Sequence, residues 1–240
     1  MSVARTRLPR RAAIGALAVA ALALTGATPP AKPAAPRWSA TVSANDIGAF
    51  VVGNPKAKVR LIEYFSYTCS HCADFARLSA VPLKSLYIDK GLVVFEYRNL
   101  VRDPVDMTAA LLARCGGAKA FAGNHQAIFG AQKTWLTKVQ KAPEAQIKSW
   151  YQGGLGERAK KIATYTGLDA LMRTRGYTQA QLDTCMDDAI AQTELEGMTN
   201  LAFNADGVRG TPTFFINGRE AGTNQWPALK TPLDAAIKAP

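Results

Sequence analysis

Histidine is nearly absent from this 240-residue chain, which holds only His71 and His125, and cysteine occurs just four times, at positions 69, 72, 115 and 185. Zinc sites usually draw four ligands from paired motifs, and here the ligand types are too few and too scattered for that. Apolar runs are short as well. The longest, AAIGALAVAALAL from Ala12 to Leu24, has about 13 residues, against the ~20 that a membrane-spanning helix needs. Lysine and arginine are dispersed, with only small groups such as Lys56, Lys58 and Arg60, so the formal charge of +11 reads as a solvated basic surface without a nucleic-acid stripe. There is no internal repeat. The glycines of QGGLGER, Gln152 to Arg158, have no strand feeding them and read as a helix end, not a phosphate loop.

What is present starts with Arg5, Arg7, Arg10 and Arg11, followed by the apolar stretch and the small residues Thr25 to Ala27. This is the layout of a secretory signal peptide, and export to the periplasm with cleavage after Ala27 is expected, a retained anchor being the alternative. The Arg10-Arg11 pair also permits the twin-arginine route. No cysteine follows the apolar run closely enough to mark a lipoprotein. Loss of four arginines leaves a charge of about +7 on the mature chain. An oxidising compartment makes four cysteines candidates for disulfides, and of the three possible pairings the near-with-near one, Cys69 with Cys72 and Cys115 with Cys185, is favoured by spacing. Two buried free thiols is the alternative for the second pair.

Along the rest of the chain, the pattern predicts a short strand at Ala49 to Val52, a turn at Gly53 to Pro55, and a buried strand from Val59 to Phe65. A helix from Ser70 to about Ser85 is expected from Phe75, Leu78 and Leu86, and LVVFEYR, Leu92 to Arg98, has the β-branched and aromatic content of a strand. Strand, helix, strand implies a parallel pair with a crossover. From about Asp106 to Asn204 the pattern is helical almost throughout, its Met, Phe and Trp residues read as a local core and His125 as an ordinary helix residue. Strand character returns at Pro212 to Gly218, and a closing helix is expected from Trp226 to Ala239.

The chemistry gathers at Cys69-Ser70-His71-Cys72. A cysteine at the start of a helix lies beside unpaired N–H groups and the positive end of the dipole, which favour thiolate over thiol. His71, in the same first turn, can add a donor or a charge. Such surroundings bring reactive cysteines to pKa values of ~3.5 to ~7.5, and they point to a redox-active pair. A structural staple and a soft-metal turn holding Cu(I) or Zn(II) share the spacing. Glu63, inside an apolar strand, must be paired, protonated or functional.

LIEYFSYTCSHC, Leu61 to Cys72, resembles the active-site segment of DsbA-type thiol:disulfide oxidoreductases, and GVRGTPTFFINGR, Gly207 to Arg219, resembles their cis-proline strand. The resemblance covers nearly all of the mature chain. It implies an α/β, thioredoxin-like fold with an inserted α-helical domain. The expected divisions are a signal peptide 1–27, a Pro/Ala-rich lead-in 28–44, thioredoxin-like parts at 45–105 and 205–240, and the helical insertion 106–204.

The same resemblance implies Cys69 as the exposed nucleophile, Cys72 as the resolving cysteine, His71 as the residue that makes the disulfide oxidising, and Glu63 as a buried acid assisting proton transfer. Pro212 is implied to be the cis-proline beside which substrate pairs, preceded by Thr211. Ser70 stands where a proline is common in the family, and Thr211 is closer to the isomerase-type relatives. Those isomerases carry a separate dimerisation domain, and the roughly 41 residues between Ala27 and Cys69 leave no room for one. The expectation is a monomeric dithiol oxidase that acts on reduced substrate proteins through mixed disulfides and is reoxidised by a DsbB-like membrane partner, without cofactor, metal or nucleic acid. An isomerase or reductase of the same fold is the alternative. Cys115–Cys185, if joined, is expected to be structural.

Overall fold

The structure is a computed structural model and describes Met1 and residues 37–240. The expected leader, and the lead-in as far as residue 36, lie outside the described residues.

After a 3-10 turn at Trp38–Ala40 come three strands, β1 (Val42–Ala44), β2 (Phe50–Gly53) and β3 (Val59–Phe65). Helix α1 (Ser70–Pro82) follows, then a π-helical turn (Leu83–Ile88) and β4 (Val93–Asn99). Eight helices succeed one another: α2 (Pro104–Arg114), α3 (Gly117–Gly130), α4 (Gln132–Gln140), α5 (Glu144–Ser149), α6 (Leu155–Thr166), α7 (Leu168–Thr174), α8 (Gln179–Met186) and α9 (Ala189–Asn204). The chain closes with β5 (Thr213–Ile216), β6 (Arg219–Glu220) and α10 (Trp226–Lys238).

The strands form one mixed sheet in the order β1-β2-β4-β3-β5-β6, with β3 and β4 parallel and the other pairings antiparallel. The crossover of the parallel pair is α1 and its π turn. The sheet already begins at Val42, within the stretch expected as lead-in, because Val42, Ser43 and Ala44 pair with Val52, Val51 and Phe50. At the far edge, β6 has only two residues, both exposed and of opposite charge.

Strand β3 is buried at every residue except Arg60, as expected of a central strand covered on both faces. Its residues alternate between two cores. Leu61 packs with Phe75, Phe95, Phe214, Trp226 and Leu229, joining α1 and α10 to one face. Ile62 and Tyr64 face Ala202 of α9 and Val208 on the other. A third and larger core runs from Phe65 and Tyr67 into the helical segment. The close approach of β2 to β4 needs a glycine: Gly53 has a φ of +125°, and a Cβ there would lie 2.9 Å from the carbonyl oxygen of Val93.

Helix α1 differs from the sequence expectation in its inner face. Leu78 and Leu86 are exposed, and the buried positions are Cys72, Phe75 and Ser79, followed by Leu83 in the π turn. The α-helix also stops at Pro82, short of Ser85, because the π turn widens the spiral there. Helix α2 begins where Asp103 accepts from the amides of Val105 and Asp106, with Pro104 at its first position. That cap sets α2 directly beneath the loop leading into α1.

Candidate active site

Cys69 is the N-cap of α1. Its Sγ accepts from the amide of Cys72 at 3.4 Å and lies 3.2 Å from the carbonyl oxygen of Thr211, to which the thiol form donates. The peptide between Thr211 and Pro212 is cis, and β5 starts at the next residue. Thus two segments about 140 residues apart in sequence meet at one sulfur. Both cysteines are free thiols here and both are buried: Cys72 is fully enclosed, and Cys69, expected to be exposed, keeps only 4% of its surface because the Thr211-Pro212 segment covers its sulfur.

The two sulfurs differ sharply in acidity. The Cys69 thiol is brought down to about 5, chiefly because the Cys72 side chain donates to it; the Thr211 side chain and the amides of Cys72 and His71 add to this, against a burial that works the other way. Cys72 moves in the opposite direction: burial, donation to Cys69 and the nearby Glu63 carboxylate all hold its proton on. At pH 7 the Cys69 thiolate therefore outnumbers its thiol by about 100 to 1. His71 contributes its amide to this arrangement, and its ring is at the exposed surface of α1's first turn.

Glu63 lies on the same face of β3 as Leu61 and Phe65 and is buried, with its pKa pushed well up, first by burial and then by the Cys69 charge. No side-chain hydrogen bond ties it to another described residue. Instead it borders a cavity of about 270 Å³ shared with Tyr97, His125, Phe75 and Gln126, a volume with room for water. This arrangement leaves a protonatable group near the resolving cysteine and at the edge of a cavity large enough for water.

Three residues to which the sequence reading gave no role, Asp106, Gln132 and Tyr67, hold the loop in place together with His125. Buried Asp106 accepts from the Ser66 hydroxyl at 2.6 Å, the Tyr67 amide at 2.7 Å and the Arg102 amide at 3.0 Å; burial nonetheless raises it to about 7. Gln132 of α4 donates through Nε2 to the carbonyls of Tyr67 and Cys69, both at 2.8 Å. The Tyr67 hydroxyl meets Nδ1 of His125 at 3.0 Å. His125, expected to be an ordinary helix residue, is instead buried among Phe65, Tyr67, Tyr97, Phe121 and Phe129, and burial lowers it to about 3.

Cys115, at the end of α2, and Cys185 of α8 are joined by a disulfide. It lies in the core of the helical segment and does not join the Cys69 group. Among the described residues, no cluster of three or more His, Cys, Asp and Glu side chains is placed to hold a metal ion. What the Cys69 arrangement can do chemically is exchange: a stabilised thiolate is a good leaving group, and a thiol kept protonated beside it can take over the bond.

The thioredoxin family model matches residues 45–235. A crystal structure named a protein-disulfide isomerase, from Novosphingobium aromaticivorans, aligns with a TM-score of 0.77 at 36% identity, covering 80% of this chain and 98% of that one. The α-DsbA1 of Wolbachia pipientis aligns with a TM-score of 0.62 at 23% identity over 78% of this chain and 89% of its own, a likeness of fold. A Rickettsia felis protein named a protein-disulfide oxidoreductase is 29% identical over 195 residues, 80% of this chain. The chain spans only about 62% of the length of that curated relative.

Proposed function

This chain belongs to the thioredoxin family, and on that footing we propose that it is an exported protein-disulfide oxidoreductase that donates a Cys69–Cys72 disulfide to folding proteins. The observation that carries the proposal is the split between the two sulfurs, Cys69 held as thiolate and Cys72 as thiol, beside the Thr211-Pro212 turn.

In the oxidised protein a substrate thiolate attacks Cys69 Sγ. The Cys69–Cys72 bond breaks, a mixed disulfide forms between substrate and Cys69, and Cys72 leaves with the electron pair and takes a proton, for which Glu63 is the nearby donor. A second substrate thiolate then attacks the substrate sulfur of the mixed disulfide, expelling Cys69 as thiolate. The substrate has lost two electrons and the protein has gained them. The backbone beside Pro212 positions the substrate segment. The same interactions that stabilise the Cys69 thiolate drive the second step forward. The reduced pair then returns its two electrons to a membrane reoxidant of the DsbB kind. The protein works as a monomer, and the Cys115–Cys185 bond fits an oxidising compartment such as the periplasm.

Thr211 before the proline, together with the isomerase name of the Novosphingobium structure, favours a second reading, in which the pair is kept reduced and rearranges wrong disulfides. The equilibrium of Cys69 and Cys72 against a glutathione series separates the two. A potential well above that of the glutathione pool is the result expected of an oxidase. One at or below it moves the protein to isomerase or reductase work. In either case a Cys69→Ser variant must lose exchange with a reduced or scrambled peptide.

A further inference from the structure

The cavity above Cys69, of about 440 Å³, is bordered by His71, Arg102, Phe203, Arg209 and Thr211, and no acidic side chain borders it. Arg102 comes from the loop between β4 and α2, and Arg209 from the loop before Pro212, so two guanidinium-bearing segments flank the reactive sulfur from separate elements. Both residues are exposed, and among the described residues neither makes an ion pair or a side-chain hydrogen bond.

The acids nearest in sequence are engaged elsewhere. Asp103 caps α2 and accepts the Thr68 hydroxyl at 3.1 Å, and Asp206 accepts from the Tyr64 hydroxyl at 2.6 Å and from Arg98 at 2.9 Å. Phe203, 53% exposed at the end of α9, adds an apolar face to the rim. Arg102 also borders a second cavity, of about 420 Å³, that continues along α9 past Asn200 to Arg158 and Glu196. The Nε of Arg158 is buried without a partner. Asp103 and Glu196 both line this second cavity, so the lining without acids is confined to the cavity at Cys69.

We propose that this cleft selects cysteine-bearing segments of partner proteins that carry an acidic residue within the first few positions from the cysteine, read by Arg102 and Arg209. The inference rests on the oxidoreductase reading above and adds a substrate class to it. An extended segment advances about 3.3 Å per residue, so a carboxylate one to three residues from a cysteine bonded to Cys69 stays within reach of the cavity that both arginines border. An unpaired positive cleft raises encounter rates with anionic segments by about tenfold or more at low salt, and loses that advantage as salt screens it.

The test uses two reduced peptides, each with two cysteines, identical except that the flanking residues are Glu in one and Lys in the other. Oxidation rates are expressed per thiolate from each peptide's own titration, which removes the effect of the flanking charge on the thiol. The wild-type protein is expected to oxidise the Glu peptide on the order of tenfold faster than the Lys peptide at low salt, with the ratio shrinking at about 0.5 M salt. Arg102→Gln with Arg209→Gln should bring the ratio near one, and the double Glu variant should reverse it. Any damage to the cysteine pair slows both peptides alike and cancels in the ratio. Equal wild-type rates, or variants that keep the wild-type ratio, overturn the inference while leaving the oxidoreductase reading intact. Exchange with neither peptide sinks that reading, and this one with it.

Discussion

The side-chain amide of Gln132 donates to the carbonyl oxygen of Cys69 at 2.8 Å, so the residue that carries the reactive sulfur is held by its backbone from helix α4. The same nitrogen holds Tyr67. Gln132→Ala leaves two buried carbonyls without this donor, a loss of about 1–3 kcal/mol. Urea unfolding should register that loss. The thiolate absorbance of the reduced protein should also titrate above its wild-type midpoint, because a looser loop weakens the N–H contacts to sulfur. Unchanged stability would mean that the loop is held by Asp106 alone.

The low pKa of Cys69 predicts a break in how the reduction potential depends on pH. Above about pH 5 the cysteine pair itself takes up one proton on reduction, on Cys72, and away from the Glu63 titration the two-electron couple should fall by about 30 mV per pH unit. Below that point Cys69 is protonated too, and the slope should steepen to about 59 mV. The sign for stability is that of a depressed group: the thiolate's contribution to the reduced form is complete above the ordinary value of 9.0 and is lost as pH falls through about 5. The melting temperature of the reduced protein should fall relative to that of the oxidised protein as pH falls over that range. A potential with a single slope from pH 4 to 8 would rule out the acidified Cys69.

Glu63 behaves the opposite way. Its raised pKa means that stability is fully present below its ordinary value of 4.5 and is lost as pH rises through the folded value. Glu63→Gln should therefore gain on the wild type in urea unfolding as pH is raised from 5 to 8. Reduction places the Cys69 charge near Glu63 and raises it further. Between its pKa values in the two redox forms, the wild-type potential should steepen towards the two-proton slope, a feature the glutamine variant lacks. Identical potential curves for both proteins would separate Glu63 from the cysteine pair.

His125 gives an acid-side signal. Burial lowers it from 6.5 to about 3, so the stability it leaves intact above pH 6.5 is lost as pH falls, by about 2–3 kcal/mol between pH 7 and pH 4.5. In His125→Phe that portion of the acid sensitivity should vanish, while the unpaired Tyr67 hydroxyl costs about 1 kcal/mol at every pH. The check is the difference in unfolding free energy between wild type and variant at the two pH values, which should change by the amount given. A constant difference would mean that the ring is already protonated or hydrated in the folded protein.

The central strands were legible in the sequence because their physics is local. Val59–Phe65 is apolar on both faces and lies at the centre of the sheet, and LVVFEYR emerged as β4 within one residue at each end. The CxxC turn announced itself by spacing, and the closing strand and helix by the return of β-branched and then helical patterns. Gln132 and His125 were not legible in this way. A glutamine or histidine in a helix has the same sequence signature whether it faces water or reaches a loop some 60 residues away, and only the packing of α3 and α4 over the active-site segment decides between them. Asp106 was hidden for a related reason, since an acid in a helix's first turn is accounted for by the dipole alone. The exposure of Leu78 and Leu86 shows the same limit: a helical period finds apolar positions but does not say which of them the neighbouring elements cover. Strand β1 went unseen because its three residues follow a proline-rich run and pair only through β2.

The sheet that carries the active site ends at Arg219–Glu220, two exposed residues of opposite charge. A long open edge would offer its unpaired backbone groups to any extended chain in reach, and the unfolded clients proposed here are just such chains. So short and charged a border gives a client little ladder to extend. Under the function proposed above, this leaves the cleft at Cys69, and not this edge, as the place where a client segment docks.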